Sequence, residues 1–357
     1  MLRNTESAIV SAVAKPHSTL KPVAAEQIKQ ALNAMAQKFS AKGNFQRIHS
    51  DTKVSPRPQL PEQSNSHKSF AYTFCDTVLP VVLTAPSDLV ARPCKTLGDV
   101  ESAYRLVYKE YLARGYCTQN PSQMHYNFYC ILPDSRTFVI EKSGVIVGTV
   151  SLFCDSPCGL PLESLYPTEV AKFRVEGRRL AEVGLLALDS RIFHRNCFSL
   201  TEVRKMSALF RLFKLLLDYS CSSNVTDLLI AVHPKHQALY EYMKFEPFGE
   251  VKSYAVACGN PALPMRGDIP MAIRTAPKRG GLSVFHGKPI YTEKTFENHF
   301  DWSEELSRDF LFRRLPLWQQ LPTKARNHMS YCLGLEMTDD CTSNICATPS
   351  SFKPRRH

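Results

Sequence analysis

The sequence predicts an α/β fold: a mixed central sheet flanked by helices, followed by a mainly helical C-terminal extension. Three observations carry this expectation. Strand-length apolar runs alternate with helix-length amphipathic ones between residues 97 and 258. Two of the strand-like runs are separated only by Ser143-Gly144, the signal of a tight antiparallel hairpin. The later strands are each followed by a helix before the next strand, which is the connection that parallel neighbours require.

Taken in order, Thr96-Leu-Gly-Asp99 fits a capping box with Asp in the place of Glu, and it opens a helix. Val100, Ala103, Tyr104, Val107, Tyr108, Tyr111 and Leu112 follow the helical period, and Gly115 is a stop signal. Residues 137–142 and 145–153 are the two hairpin strands. Leu180-Ala-Glu-Val-Gly-Leu-Leu-Ala-Leu188 is nearly all apolar, which suits a central strand. Residues 201–219 form a long helix with Val203, Met206, Phe210, Phe213 and Leu217 on one face. A short buried strand at 228–233, a helix at 234–244 and a last strand at 251–257 complete the series. Four regions follow from these boundaries. Residues 1–69 are expected to be disordered or loosely docked, with one candidate amphipathic helix at 23–38 and a Ser/Pro/Gln/Asn-rich linker at 50–68. Residues 70–270 are the α/β domain, with regular structure beginning near Phe70. Residues 271–337 are a helical extension in which Pro316 breaks the 296–321 run, and 338–357 is a Ser/Thr-rich tail.

The chain has 357 residues and 44% apolar content, enough for a sizeable core, and a formal net charge of +11. Such a charge seeks something acidic: a nucleic acid, a membrane surface or an acidic protein. Helix-turn-helix, zinc-finger, RRM and KH signatures are lacking, so nucleic acid is not expected. Twelve cysteines are best read as reduced thiols in a cytoplasmic protein. Cys154 and Cys158 lack two further ligands at zinc spacing, so no metal is expected. No apolar run reaches the roughly 18 residues of a membrane span, and peripheral membrane contact is left open.

Three segments and the order of elements resemble the N-acyl amino acid synthases, GNAT-fold relatives of the acyl-homoserine-lactone synthases. The segments are Tyr104-Arg-Leu-Val-Tyr108 with Tyr111, Gly148-Thr-Val-Ser-Leu152, and Ala181-Glu-Val-Gly-Leu-Leu-Ala-Leu188. His233-Pro-Lys-His236 is similar to the Asn-Pro-Arg-His run of the same synthases. Tyr240-Glu-Tyr-Met-Lys-Phe245 matches the Tyr-x-x-x-Gly-Phe segment of many GNAT domains, with Lys244 in place of the glycine. The resemblance covers residues 97–258 and implies a GNAT-like sheet and an acyltransferase. The lactone synthases carry Glu-x-Ser-Arg where this chain has Glu182-Val-Gly-Leu185, and an arginine where Ser151 stands. Lactone synthesis is therefore not expected. The reaction implied is transfer of a long acyl chain from a carrier-protein thioester to the amino group of an amino acid. An acetyl-CoA-dependent N-acetyltransferase and a catalytically inactive binding module are the alternatives.

Such a transfer needs a base for the incoming ammonium, an acid for the leaving thiolate and a hold on the acceptor. Glu182, a carboxylate on an apolar strand, is the expected base, because burial raises its proton affinity. A structural ion pair with Arg105 or Arg179 is the competing reading. Tyr240 stands where GNAT enzymes commonly keep the acid; a packing tyrosine would suit the spacing equally. Arg105 can grip a carboxylate bidentately or lie solvated on the surface. Tyr108, Ser151 and His236 complete the expected substrate contacts, although His233 and His236 also suit a loop-stabilising role.

Coenzyme A-dependent GNAT domains place a glycine-rich loop after this central strand. Here the chain reads Ser-Arg-Ile-Phe-His-Arg-Asn-Cys-Phe after Asp189, without a glycine. No permanently bound cofactor is expected. The expected donor is the acyl-phosphopantetheine of an acidic acyl carrier protein, docked on Arg174, Arg178, Arg179, Arg191 and Arg195. Phe138, Phe153, Phe193 and Phe210 are candidate walls of an acyl tunnel.

Overall fold

The computed structural model describes residues 88–193, 200–277, 281–286, 289–315 and 317–333. The helix at 23–38, the linker at 50–68, the onset near Phe70, Arg195 and the tail from 338 lie outside the described residues. The chain divides into two units, one ending at Asp301 and one beginning at Trp302.

The first unit is built on an eight-stranded sheet of order β1-β2-β3-β4-β5-β8-β6, with β7 also paired to β8. The strands are β1 (Leu89–Pro93), β2 (Arg136–Lys142), β3 (Val145–Cys154), β4 (Leu180–Leu188), β5 (Asp227–Val232), β6 (Phe245–Pro247), β7 (Lys252–Tyr254) and β8 (Asn260–Asp268). Only the β4–β5 pair is parallel. Among the described residues the helices of this unit are α1 (Leu97–Leu112), α2 (Pro167–Val175), α3 (Leu200–Ser222), α4 (Gln237–Tyr242), α5 (Ile269–Thr275) and α6 (Glu293–Phe296). This is the GNAT-like mixed sheet that the sequence predicts.

Local chemistry explains the element boundaries. Thr96 caps α1 as expected: its hydroxyl accepts from the Asp99 N–H at 3.1 Å, and the Asp99 carboxylate accepts from the Thr96 N–H at 3.3 Å. Ser143 and Gly144 both have positive φ (50° and 79°), the backbone of a two-residue turn whose twist suits a hairpin. The run at 234–244 begins as a 3-10 turn, Pro234–His236, and continues as α4. Just past α4, Lys244 holds φ +67°, the left-handed position for which the family motif keeps glycine.

Several elements escape the sequence reading, and three of them are instructive. β1 is a short edge strand, and α2 has too little apolar periodicity to declare itself. The long closing strand is β8, not the 251–257 run, of which only Lys252–Tyr254 pairs. Pro261 and Pro264 disguise β8, since proline donates nothing to a ladder. Pro264 nevertheless sits opposite Ala231, and its carbonyl accepts from the Phe248 N–H at 3.1 Å.

The main core fills the space between one sheet face and α3. Phe138, Ile140, Val150 and Leu152 meet Phe210, Leu212, Leu215 and Leu216 there. Each such large side chain contributes about 1.5–3 kcal/mol by burial. The chain beyond β8 returns to this side: Phe296 of α6 packs edge-on against Phe138 and Tyr219. The other sheet face packs against α1, where Tyr104 and Val107 are buried.

The second unit is helical, as expected. Helix α7 (Glu304–Arg308) runs into a π-helical turn, Asp309–Arg314, and is followed by a 3-10 turn at Trp318–Gln320 and by α8 (Thr323–Leu333). The helix gives way at Leu315, whose extended backbone (φ −135°, ψ 132°) is what a residue before proline adopts. Among the described residues no helix is long and apolar enough to cross a membrane, and the eight cysteines are free thiols.

Candidate active site

The central strand sets the geometry. β4 pairs with β5 only from Leu180–Asp227 to Glu182–Leu229, although β4 runs on to Leu188 and β5 to Val232. The two strands therefore part at Glu182. Beyond the fork, β4 bulges against β3: Thr149 pairs with Ala187 but Ser151 with Gly184, and Leu185 takes φ +52°. A bulge re-aims backbone groups and side chains at a strand's edge.

Glu182 lies at the fork with 5% of its surface exposed. Its cross-strand neighbours are Phe153 and Leu229, and its carboxylate accepts from the Leu162 N–H at 2.7 Å. Burial pushes its pKa up to about 8; the Leu162 hydrogen bond opposes the shift and the charge of Glu163 adds to it. The alternative of an ion pair with Arg105 or Arg179 is not what the structure contains. Arg105 donates to the Ser122 carbonyl at 3.2 Å and approaches Glu101 at 3.9 Å. Among the described residues Glu182 makes no ion pair.

The charge of Glu182 acts on two phenols, those of Tyr129 and Tyr254. Burial, and then the charge of Glu182, raise the phenol of Tyr129 above its ordinary range. The same two causes bring Tyr254 up to about 12, against a hydrogen bond with Ser164. Tyr111 on α1 is raised by burial and by the neighbouring phenols of Tyr240, Tyr116 and Tyr254. Tyr240 on α4 is pushed up to about 12 by burial. Tyr240 also packs against Phe245, ring centres 5.9 Å apart, so the packing reading of its spacing holds as well. Beside Tyr111 stands His125, ring centres 5.2 Å apart, kept neutral by burial that lowers its pKa to about 4.

The sequence missed Tyr129 and Tyr254 as site residues. Tyr129 sits on a 3-10 turn, Phe128–Ile131, with no periodicity to expose it, and Tyr254 ends a three-residue strand. The other expected residues fall elsewhere. Arg105 and Tyr108 line a separate open groove of about 950 Å³ between α1 and residues 119–123. Ser151 is 1% exposed and shares a hydrogen bond with Thr137 at 3.0 Å. The His233 Nδ1 accepts from the Lys235 N–H at 3.2 Å, which is the loop-stabilising role, and His236 is exposed one turn before Tyr240. Phe138, Phe193 and Phe210 belong to the core on the α3 side, whereas Phe153 faces Glu182 across the strand pair.

The basic residues are dispersed rather than gathered. Arg174, Arg178 and Arg179 lie before the start of β4 and Arg191 lies after its end, roughly 27 Å apart at the usual strand rise. Arg174 is bound to Asp155 and Glu163, and Arg178 to Asp227 and Asp268. Arg179 is exposed. The side chain of Arg191 is 77% exposed beside Asp189. Burial acts to raise the pKa of Asp189, but its bonds to Arg191 and Lys109 outweigh that and lower it to about 2. Among the described residues no three His, Cys, Asp or Glu side chains converge as a metal site.

Comparison with known proteins bears on this arrangement. Residues 102–268 match the family model described as N-acyl amino acid synthase FeeM. No curated protein matches. Among solved structures, the N-acyl amino acid synthase FeeM from uncultured soil microbes is 28% identical, covering 51% of this chain and 90% of that chain at a TM-score of 0.44. The AHL synthase LasI is 13% identical over 50% of this chain and 88% of that chain, at 0.37. An acyl-CoA N-acyltransferase from Pseudomonas aeruginosa is 15% identical over 51% and 99%, at 0.35. The matched segment contains both Glu182 and Tyr240. Residues 102–268 are similar to the N-acyl amino acid synthases and form an N-acyltransferase domain.

Proposed function

We propose that this domain transfers a long-chain acyl group from an acyl carrier protein thioester to the amino group of an amino acid, giving an N-acyl amino acid. The observation that carries the reading is the buried Glu182 carboxyl at the fork of β4 and β5, with a pKa near 8. An amino acid arrives as an ammonium ion. Glu182 takes one of its protons, and the freed amine attacks the thioester carbonyl. The carbon–sulfur bond then breaks, Tyr240 gives its phenolic proton to the departing thiolate, and the second proton of the attacking nitrogen restores the phenol as the neutral amide forms. A base with a pKa near the working pH combines enough ionised population with enough proton affinity. A phenol held near 12 keeps its proton until a thiolate forms.

The donor assignment draws on the absence of glycine from Ser190 to Phe198, where a pyrophosphate cradle would otherwise stand. Exposed Arg191 and Arg204 and part-buried Lys205, near the end of β4 and the start of α3, supply positive charge for an acidic carrier. Arg195 falls in the same stretch of sequence. The test is incubation with a palmitoylated acyl carrier protein and each of the twenty amino acids, followed by mass analysis. An N-acyl product with at least one amino acid is expected. Product only from acetyl-CoA would replace this reading with ordinary N-acetyl transfer. No product from either donor would favour a binding module.

A further inference from the structure

The carboxyl of Glu182 is aimed by a single backbone N–H, that of Leu162. Leu162 belongs to a 3-10 turn, Pro161–Ser164, and the turn is short enough that its position depends on what pins it. The pin is Glu163. Its carboxylate accepts from the Leu160 N–H at 2.7 Å, and Arg174 grips it with two guanidinium nitrogens, Nη1 at 2.8 Å and Nη2. The same guanidinium holds Asp155 through Nε at 2.6 Å and Nη2 at 2.8 Å. Asp155 directly follows β3, and Arg174 lies on α2. One arginine therefore ties the turn to the strand that pairs with β4. The Glu163 carboxylate lies close to the backbone that enters the turn: a Cβ on Gly159, which has φ +74°, would stand 2.7 Å from the Glu163 Oε1.

We propose that Arg174 is a positioning residue for the transfer, which holds the Pro161–Ser164 turn against Glu182 and screens Glu182 from the charge of Glu163. The inference rests on the reading of Glu182 as the base. It deepens that reading, because it says what keeps the base in its working range. The groups facing Glu182 are Glu163 on the turn, Tyr129 on the Phe128–Ile131 turn and Tyr254 on β7, with Cys158 beside Tyr129. Glu163 is the only carboxylate among them, and its charge already favours the protonated form of Glu182. Arg174 offsets that charge at close range. Without the arginine, the Glu163 charge would act on Glu182 with no guanidinium bound to it. Without the Glu163 charge, Glu182 would ionise more readily.

The two variants that break this ion pair therefore act in opposite directions, which a loss of scaffold alone would not do. The experiment follows the Glu182 carboxyl by carbon NMR in full-length protein labelled at the glutamate δ-carbon, with Glu182→Gln identifying the signal. Its midpoint is expected to rise by roughly half to one pH unit in Arg174→Gln and to fall by a similar amount in Glu163→Gln. The amide introduced by Glu163→Gln keeps an oxygen for the Leu160 N–H, so that variant retains the turn's own hydrogen bond. Arg174→Lys is expected to stay near wild type, because an ammonium still offsets Glu163. Midpoints that move together, or that do not move, overturn the inference. The kcat/KM–pH profile of the same proteins, with a palmitoylated carrier protein and the best amino acid acceptor, separates the two readings. Midpoints that shift while the activity limb stays fixed overturn Glu182 as the base. A limb that coincides with an unshifting midpoint overturns only the role of Arg174.

Discussion

Glu182 keeps its proton to about pH 8, whereas an ordinary glutamate releases it near 4.5. Two consequences of opposite kind follow. As the proposed base, Glu182 acts in its ionised form, so kcat/KM for the acceptor should rise about tenfold per pH unit below 8 and level off above it. Stability runs the other way. Between pH 4.5 and 8 the folded chain holds a proton that the unfolded chain has lost, so this residue makes the fold less stable as pH rises through that window. Glu182→Gln keeps an acceptor for the Leu162 N–H and removes the charge. Its melting temperature relative to wild type should therefore increase from about pH 5 to about pH 8, as followed by circular dichroism, while kcat falls by about 10²- to 10⁴-fold. A variant stabilised at high pH and nearly inactive marks a group whose burial serves the reaction. Tyr240→Phe should lower kcat by about 10²-fold in the same assay, since a phenylalanine can still pack against Phe245 but gives no proton to the thiolate.

Element by element, the pattern of apolar residues revealed α1, the hairpin, β4, α3, β5 and α4, because each has a run long enough to show its period. It hid β8 behind Pro261 and Pro264, and it hid the turns that carry Tyr129 and Leu162, since a turn has no period to read. For that reason the proposed base could be picked out in the sequence but its surroundings could not. Glu182 stands out as a charge in an apolar strand, whereas its hydrogen-bond donor is a backbone N–H twenty residues away. Arg105 and Ser151 show the converse. Their residue types suit a substrate, but the structure commits Ser151 to Thr137 and turns Arg105 toward another groove. The α4–β6 junction offers a test at this scale. Lys244 holds φ +67°, where a Cβ is strained and a glycine is not. Lys244→Gly should raise stability by about 0.5–1 kcal/mol in urea unfolding, the relief of strain exceeding the entropy gained by the unfolded chain.

The whole molecule carries a net charge of +11, yet its arginines do not form one collar. Arg174 and Arg178 are each engaged by two carboxylates at the start of β4, and the exposed charge of Arg191 lies at the other end. An acidic carrier protein approaching that end would be steered by long-range attraction, which salt screens over about 10 Å at 0.1 M. The KM for the carrier protein should therefore rise several-fold between about 50 and 300 mM NaCl with kcat little changed, and Arg191→Glu should raise it at low salt. A KM indifferent to salt would remove the electrostatic argument for a protein-borne donor. The central claim, amide formation on an amino acid with Glu182 as the base, is met most directly by one measurement. Wild-type and Glu182→Gln proteins are incubated side by side at about pH 8 with a palmitoylated acyl carrier protein and the twenty amino acids, and N-acyl products are quantified by mass. The account predicts product from the wild type and at least about a hundredfold less from the variant. Equal product from both, or none from the wild type, would contradict it.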